Sequence, residues 1–257
     1  MKHASAIICA YNEAPRIDAV LDAVVDHPHV GEVIVIDDGS DDGTADIAER
    51  PGVRVIRHEK NRGKSAAVAS GVEAASYPLL LFLDADLKGI TPRDIDSLLM
   101  PVISGTSDVA ISMRKSSYLA CHLVGVDFLS GERVIPKRLL EKHIREMRKL
   151  TPFGIEVYEN QLIIKEQLKI ASVDLENVVG LHKSEKMGIV KGLYEDLKMF
   201  DDILKIMPLE QMLYQNYAMS LLSSRKSMGQ LFEMKKLLSS PVATLTKPFK
   251  HRKKHTL

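Results

Sequence analysis

Short apolar runs alternate with amphipathic stretches through the first half of the chain. Ala6-Ile7-Ile8-Cys9-Ala10 is a continuous apolar run of strand length. Over residues 16–25, Ile17, Val20, Leu21 and Val24 recur at the i, i+3, i+4, i+7 spacing of one helix face. Val33-Ile34-Val35-Ile36 and Val53-Arg54-Val55-Ile56 predict the second and third strands. Residues 63–75 predict a helix of small residues, fit for close packing on a sheet. Leu79-Leu80-Leu81-Phe82-Leu83 is the most hydrophobic run and predicts a central strand, buried on both faces. Thr91-Pro92 opens a further helix by N-cap and first-turn chemistry, and residues 108–113 predict another strand. Strands separated by helices in this way predict βαβ units and a mainly parallel sheet.

Past residue 113 the pattern loosens. Residues 136–150 predict a helix with Arg138, Lys142, Arg145 and Lys149 on one face and Leu140, Ile144 and Met147 on another. Residues 156–168 read as helix and 170–179 as a partly alternating strand. From Val190 the pattern is helical, through Leu193, Leu197, Phe200, Leu204 and Met207, and it resumes after Pro208. No internal repeat or low-complexity linker interrupts it. The chain divides into an α/β body over residues 1–187, a helical region over 188–246 and a basic tail over 247–257.

Composition narrows the class. In 257 residues, 45% hydrophobic and 27% charged side chains make an ordinary globular balance. The longest apolar run is far short of the ~20 residues that span a bilayer, and the N-terminus lacks the apolar core of a secretory signal. Cys9 and Cys121 have no paired spacing, which argues against a disulfide framework or zinc ribbon and fits a cytoplasmic setting. The net charge of +1 is unevenly spread: the tail holds five basic and no acidic residues, leaving 30 basic against 34 acidic before it. Such a tail is either a solvated end or an electrostatic foot on anionic lipid; it is too short to argue for nucleic acid.

Three segments fall just past predicted strands, where open α/β sheets bind ligands: Cys9-Ala10-Tyr11-Asn12-Glu13, Asp37-Asp38-Gly39-Ser40-Asp41-Asp42-Gly43-Thr44, and Leu83-Asp84-Ala85-Asp86. Each alone is weak, since Asp-Asp-Gly-Ser is commonly a turn and helix cap. Together they converge on one rim. Two carboxylates one residue apart can offer oxygens to one hard cation, Mg²⁺ or Mn²⁺, whose shell substrate phosphates complete. Asn61-Arg62-Gly63-Lys64 opens the small-residue helix, so its backbone donors and Lys64 can face a phosphate. No dinucleotide-binding glycine fingerprint and no P-loop is present.

The ordered set Cys9 to Glu13, Asp37 to Ser40, Asn61 to Lys64 and Asp84-Ala85-Asp86 resembles the family-two glycosyltransferases of the A-type nucleotide-sugar fold, over roughly the first 135 residues. The resemblance implies a Rossmann-like, mainly parallel sheet flanked by helices, with a helical C-terminal annex. It implies that Ala10, Tyr11 and Glu13 line the nucleotide pocket, that Asp37 or Asp38 holds the base or ribose, and that Asp84 and Asp86 form the metal-and-diphosphate motif, with Asp86 catalytic. Ser112-Met113-Arg114-Lys115 and Ser130-Gly131-Glu132-Arg133 are similar to stretches of polyprenyl-phosphate sugar transferases and phosphoglycerate-directed synthases. By that likeness Ser130-Gly131 forms the acceptor loop, and Arg114 and Arg133 clamp an acceptor phosphate or make surface ion pairs. His182 is a third metal ligand or a structural histidine. Glu156 is a general base or a helix-N-terminal carboxylate.

The chain has no tryptophan, so the Gln-x-x-Arg-Trp motif of processive polysaccharide synthases is absent. The resulting expectation is a metal-dependent transferase that moves a sugar from a UDP- or GDP-sugar to a phosphate-bearing acceptor, either a polyprenyl phosphate or a small phosphorylated metabolite. It would be cytoplasmic and could meet the inner face of the membrane through its basic stripe and tail. A homodimer is left open, and no nucleic-acid partner is expected. The competing classes are a sugar-phosphate nucleotidyltransferase, which would carry a glycine-rich loop after the first strand, and a non-catalytic nucleotide-sugar-binding protein.

Overall fold

The computed structural model describes residues 3–114, 126–151, 154–175, 177–180 and 209–223. Its elements are β1 (Ala4–Ala10), α1 (Ile17–Val24), β2 (Val30–Asp37), α2 (Thr44–Ala48), β3 (Val53–Arg57), α3 (Lys64–Ala74), β4 (Leu79–Asp84), β5 (Leu87–Lys88), α4 (Pro92–Ile103), β6 (Val109–Arg114) and β7 (Arg133–Pro136). Then come α5 (Lys137–Leu140), a 3₁₀ turn (Glu141–His143), α6 (Ile144–Met147), α7 (Ile155–Lys165), β8 (Ile170–Leu175), β9 (Val179–Gly180) and α8 (Leu209–Leu222). Seven strands form one sheet in the order β3-β2-β1-β4-β7-β6-β8, and β5 and β9 make a small antiparallel ribbon.

The four predicted strands of the first half form its parallel portion. β1 lies between β2 and β4, both parallel, with Ala10 opposite Asp37 and Cys9 opposite Asp84. That register brings the ends of three strands, and the loops leaving them, to one rim. The reason β1 and β4 read as unbroken apolar runs is visible in the layers. Ile8, Leu81 and Leu83 face the core under α1 and α4, whereas Ile7, Leu80 and Phe82 face the core under α3 and α7. Both faces of the sheet are covered, so alternate residues have no polar side to turn to. The start of α4 is as the sequence predicts: the Asp94 carboxylate accepts from the Thr91 backbone N–H at 2.8 Å and from its hydroxyl at 2.6 Å.

Beyond residue 113 the structure corrects the sequence reading. Arg133–Pro136 is not loop leading into a helix but β7, inserted antiparallel between β4 and β6, with Phe82 and Ile111 both opposite Arg133. Four residues are too few for an alternation to register, and its strand state comes from pairing on both sides. The helix expected over 136–150 is broken by the 3₁₀ turn at Glu141–His143, where His143 Nδ1 is bonded to the Tyr158 hydroxyl of α7 at 2.9 Å. α8 packs on α7, and Met219, Leu221 and Leu222 join the core on that face. A bridge between Ile170 and Ser223 ties its end to β8. Lys115, Cys121, His182, the basic tail and the rest of the predicted helical region lie outside the described residues.

Candidate active site

The loops after β1 and β2 are built as one unit. The chain turns at Asn12, with φ +57°, and its backbone amides are met by side chains of the second loop. The Asn12 N–H donates to Ser40 Oγ at 2.9 Å, Glu13 N–H to Thr44 Oγ1 at 2.8 Å and Ala14 N–H to Asp42 Oδ2 at 3.0 Å. In return, the Asp41 N–H donates to Asn12 Oδ1 at 3.1 Å. Burial opposes ionisation of Asp42, but hydrogen bonds from the Thr44 hydroxyl and from the Ala14 and Thr44 N–H groups outweigh it and hold its carboxyl below the usual range. Glu13 pairs with Arg16, and Tyr11 is left 48% exposed at the rim.

Asp37 and Asp38 are both buried, so they form a floor rather than a wall. Asp38 accepts from the Arg62 N–H at 3.0 Å, the Gly63 N–H at 2.8 Å and pairs with His58 Nδ1 at 2.7 Å. His58 Nε2 is bonded in turn to Ser70 Oγ at 3.0 Å. The carboxylate thus clasps the loop that starts α3. Gly63 has φ +86° and ψ +157°, a region open essentially to glycine alone. It aims the next residue, Lys64, at the rim.

Lys64 Nζ donates to Asp84 Oδ1 at 2.6 Å and lies 2.8 Å from Glu156 Oε1. Burial alone would depress this ammonium, but Asp84 and Glu156 hold it well above its ordinary value, so it is a fixed positive charge. Asp84 ends β4, and Asp86, half-buried, follows after the buried Ala85. Gly131 packs directly against Asp84: a Cβ there would lie 2.6 Å from both carboxylate oxygens. Ser65 Oγ donates to the Thr151 carbonyl at 2.9 Å, tying the start of α3 to the segment before α7 and so setting Glu156 over Lys64.

The opposite side of the rim is a buried network. Glu132, fully buried, accepts from Ser112 Oγ at 2.7 Å and Ser130 Oγ at 2.8 Å, and faces Arg114 Nη1 at 3.3 Å. Burial pushes the Glu132 carboxyl up; Arg114 opposes this. Burial would lower Arg114, but Glu132, then Asp84, Asp127 and Asp86, raise it. Those four causes place Arg114 among the rim carboxylates. Arg133 is different. It is fully buried, and its guanidinium donates to the Ser130 carbonyl, to Asn160 Oδ1 at 2.7 Å and to the Phe128 carbonyl at 2.8 Å, with Glu159 at 3.4 Å.

Two expectations are therefore corrected. Arg133 cannot clamp an acceptor phosphate or act catalytically, because its donors are consumed inside the protein; it pins the 127–131 loop to α7. The Ser130 hydroxyl cannot meet an acceptor either, since it is buried and bonded to Glu132. Gly131 acts as a close-approach point for Asp84. Sequence reasoning gave no role to Glu132, Ser112, Glu159, Asn160 or Gln215, although Glu132 and Ser112 lie inside stretches already singled out. Asn160 Nδ2 donates to the Phe128 carbonyl at 2.8 Å, and Gln215 Nε2 to the Val157 carbonyl at 3.0 Å. No local spacing links residues so far apart.

Behind Lys64 lies a void of about 10 Å³, lined among others by Cys9, Asp84, Gly131, Glu156 and Glu159, about the size of one water. Burial pushes the Cys9 thiol up to about 12, which makes it inert as a nucleophile. Burial also pushes Glu159 up to about 7, against the opposing pull of Arg133.

The residues present fit a divalent cation. Around the rim the carboxylates Asp84, Asp86, Asp127 and Glu156 outnumber the cations Lys64 and Arg114. Among the described residues no group of three or more side chains forms a metal cage. The excess of carboxylates suits a hard divalent ion such as Mg²⁺ or Mn²⁺, which takes one or two carboxylates and leaves the remaining positions to water and phosphate.

Residues 5–123 match the family model for glycosyl transferase family 2. The stretch so matched, a little under half of the chain, is a family 2 glycosyltransferase domain. The chain is 30% identical over 122 residues to a dodecaprenyl-phosphate galacturonate synthase of Rhizobium johnstonii, covering 44% of this chain and 36% of that protein. It is 33% identical over 117 residues to a dolichol-phosphate mannosyltransferase of Pyrococcus furiosus, covering 43% and 32%. The matched region thus spans about a third of each of these relatives' own length. Among solved structures, glucosyl-3-phosphoglycerate synthase of Mycobacterium tuberculosis in complex with Mn²⁺ and UDP-glucose aligns with a TM-score of 0.57 and 26% identity, over 70% of this chain and 71% of that one. The sheet, with β7 antiparallel in a mostly parallel order, is the A-type glycosyltransferase fold expected from the motifs. Among the described residues no helix is long and apolar enough to cross a membrane.

Proposed function

We propose that this protein is a metal-dependent, non-processive glycosyltransferase that moves a sugar from a nucleoside-diphosphate sugar to a phosphate-bearing acceptor. The observation that carries the reading is the convergence at one rim of Lys64, Asp84 and Glu156 within 2.8 Å of one ammonium, beside the latched loops after β1 and β2. The nucleoside would lie over Ala10, exposed Tyr11 and Glu13, with Asp37 and Asp38 as the floor. Lys64 and the amides opening α3 would face the diphosphate.

Asp86, with Asp84 beside it, would hold Mg²⁺ or Mn²⁺. When bound, that ion supplies Lewis-acid stabilisation of the leaving diphosphate. An acceptor oxygen forms the new bond to the sugar C1 while the C1–O bond to the diphosphate breaks, its electron pair passing to the phosphate oxygen. A phosphate acceptor is already ionised at neutral pH and gives up no proton; for a hydroxyl acceptor, Glu156 would accept it. Arg114, held by Glu132, is the guanidinium left to meet an acceptor phosphate. The relatives named for polyprenyl or dolichol phosphate, and the exposed Arg138, Lys142, Arg145 and Lys149, support a lipid-linked acceptor met at a membrane face. The catalytic unit is assigned to residues 1–187, with α8 packed onto it.

The test is a panel of labelled UDP- and GDP-sugars with Mn²⁺, offered a polyprenyl phosphate or phosphoglycerate. The expected products are nucleoside diphosphate and glycosylated acceptor, with slow donor hydrolysis when no acceptor is present. Sugar 1-phosphate and nucleoside triphosphate formed on adding pyrophosphate would instead establish nucleotidyltransfer. Binding without any turnover would leave a nucleotide-sugar-binding protein.

A further inference from the structure

Lys64 serves two carboxylates of opposite duty. Its ammonium lies 2.6 Å from Asp84 Oδ1, on the strand that ends at the donor rim, and 2.8 Å from Glu156 Oε1, in the first turn of α7. Glu156 is largely buried and Lys64 only about one-third exposed. The two segments that carry this pair are locked in place. Asp38 fixes the loop before Lys64 through the Arg62 and Gly63 amides, and the Ser65–Thr151 bond fixes the approach of α7. The ammonium can therefore change partners by side-chain rotation alone.

We infer that Lys64 is a positioning residue shared between Glu156 and the donor, so that an arriving diphosphate draws the ammonium away from Glu156 and frees that carboxylate for the acceptor. This rests on the reading of the rim as a donor site. The donor diphosphate, which bridges nucleoside and sugar, carries two negative charges against one on the Glu156 carboxylate and competes with it for the single ammonium. The consequence is an order of events. Before the donor binds, Glu156 is neutralised; after it binds, Glu156 is available beside the sugar. Donor binding would thus precede productive acceptor engagement, without any movement of the backbone.

The inference has an unusual sign. Glu156 competes with the diphosphate for Lys64, so removing its charge should tighten donor binding while lowering transfer. In calorimetric titrations of UDP and GDP with Mn²⁺, Glu156→Gln should bind the preferred nucleotide about three- to tenfold more tightly than wild type, the range of a modest ion pair. With an acceptor that reacts through a hydroxyl, the same variant should lose kcat with an unchanged or lower KM for donor. Glu156→Asp, whose shorter side chain retreats from Lys64, should shift affinity in the same direction by less and covers the case in which the glutamine variant folds poorly. The decisive control is Lys64. Lys64→Met should weaken binding about tenfold or more, and adding Glu156→Gln to it should bring no further tightening, because the shared partner is gone. Tightening that persists without Lys64 would mean a general charge effect, and unchanged or weaker binding by Glu156→Gln would mean Glu156 is not a competitor; either overturns the inference while leaving the donor site standing. Failure of wild type to bind either nucleotide would overturn both.

Discussion

The two sides of the rim are held by different means. On the β1–β2 side, side chains capture backbone: Ser40, Thr44 and Asp42 take the amides of residues 12–14, and Asp38 takes those of Arg62 and Gly63. This leaves Tyr11 exposed and the rim open. On the β6–β7 side, side chains capture one another. Glu132, Ser112 and Ser130 close one buried network, and Arg133, Asn160 and Glu159 another, with Arg114 at the edge. The first design shapes a cradle, and the second makes a stiff wall behind Asp84. A charged side chain therefore has different company on the two sides: mainly backbone amides in the cradle, and buried polar side chains in the wall.

Breaking the wall should cost stability more than binding. Arg133→Ala strands Glu159 and Asn160 in a fully buried site, and the expected loss is about 3–5 kcal/mol of unfolding free energy, read by urea denaturation. A variant that stayed as stable as wild type but lost affinity for acceptor alone would return Arg133 to the acceptor site. The contact between the two sides is sharpest at Gly131. Gly131→Ala forces a methyl group against the Asp84 oxygens, so Mn²⁺-dependent nucleotide affinity should fall about tenfold, or about 1.4 kcal/mol, with the melting temperature little changed. Equal affinity would show that Asp84 can move aside.

The smallest effect concerns pH. Glu159, raised from 4.5 to about 7, binds its proton more tightly folded than unfolded. Its contribution to stability is thus fully present below about pH 4.5 and is lost as pH rises to about 7. In Glu159→Gln that decline should flatten, changing the slope of melting temperature against pH by a few degrees, at about 2–4 °C per kcal/mol. An identical slope in both proteins would place Glu159 outside the titrating set.

The cradle was legible in the sequence because its parts are local. Asp37 to Thr44 and Asn61 to Lys64 are short loops after strands whose apolar runs are unmistakable, and parallel pairing then aligns their ends without further information. The wall was not legible: its bonds, such as Ser112 to Ser130 and Arg133 to Asn160, span no more sequence than those of the cradle, but they depend on a strand that no apolar run marks. Arg133 and Ser130 carry the residue types of a phosphate site. Only β7, four residues held between β4 and β6, turns them inward. The same strand explains why residues 136–150 do not form one straight helix: the chain must leave the sheet at Pro136 and return along α3 to Thr151.

The most direct measurement is the divalent-ion dependence of nucleotide binding by wild type and Asp86→Asn, in paired calorimetric titrations of UDP and GDP with Mn²⁺ and with EDTA. A donor site centred on Asp86 predicts that one nucleotide binds wild type only with Mn²⁺, and that the variant loses at least about tenfold in affinity. Equal binding in EDTA, or a variant indistinguishable from wild type, would contradict it.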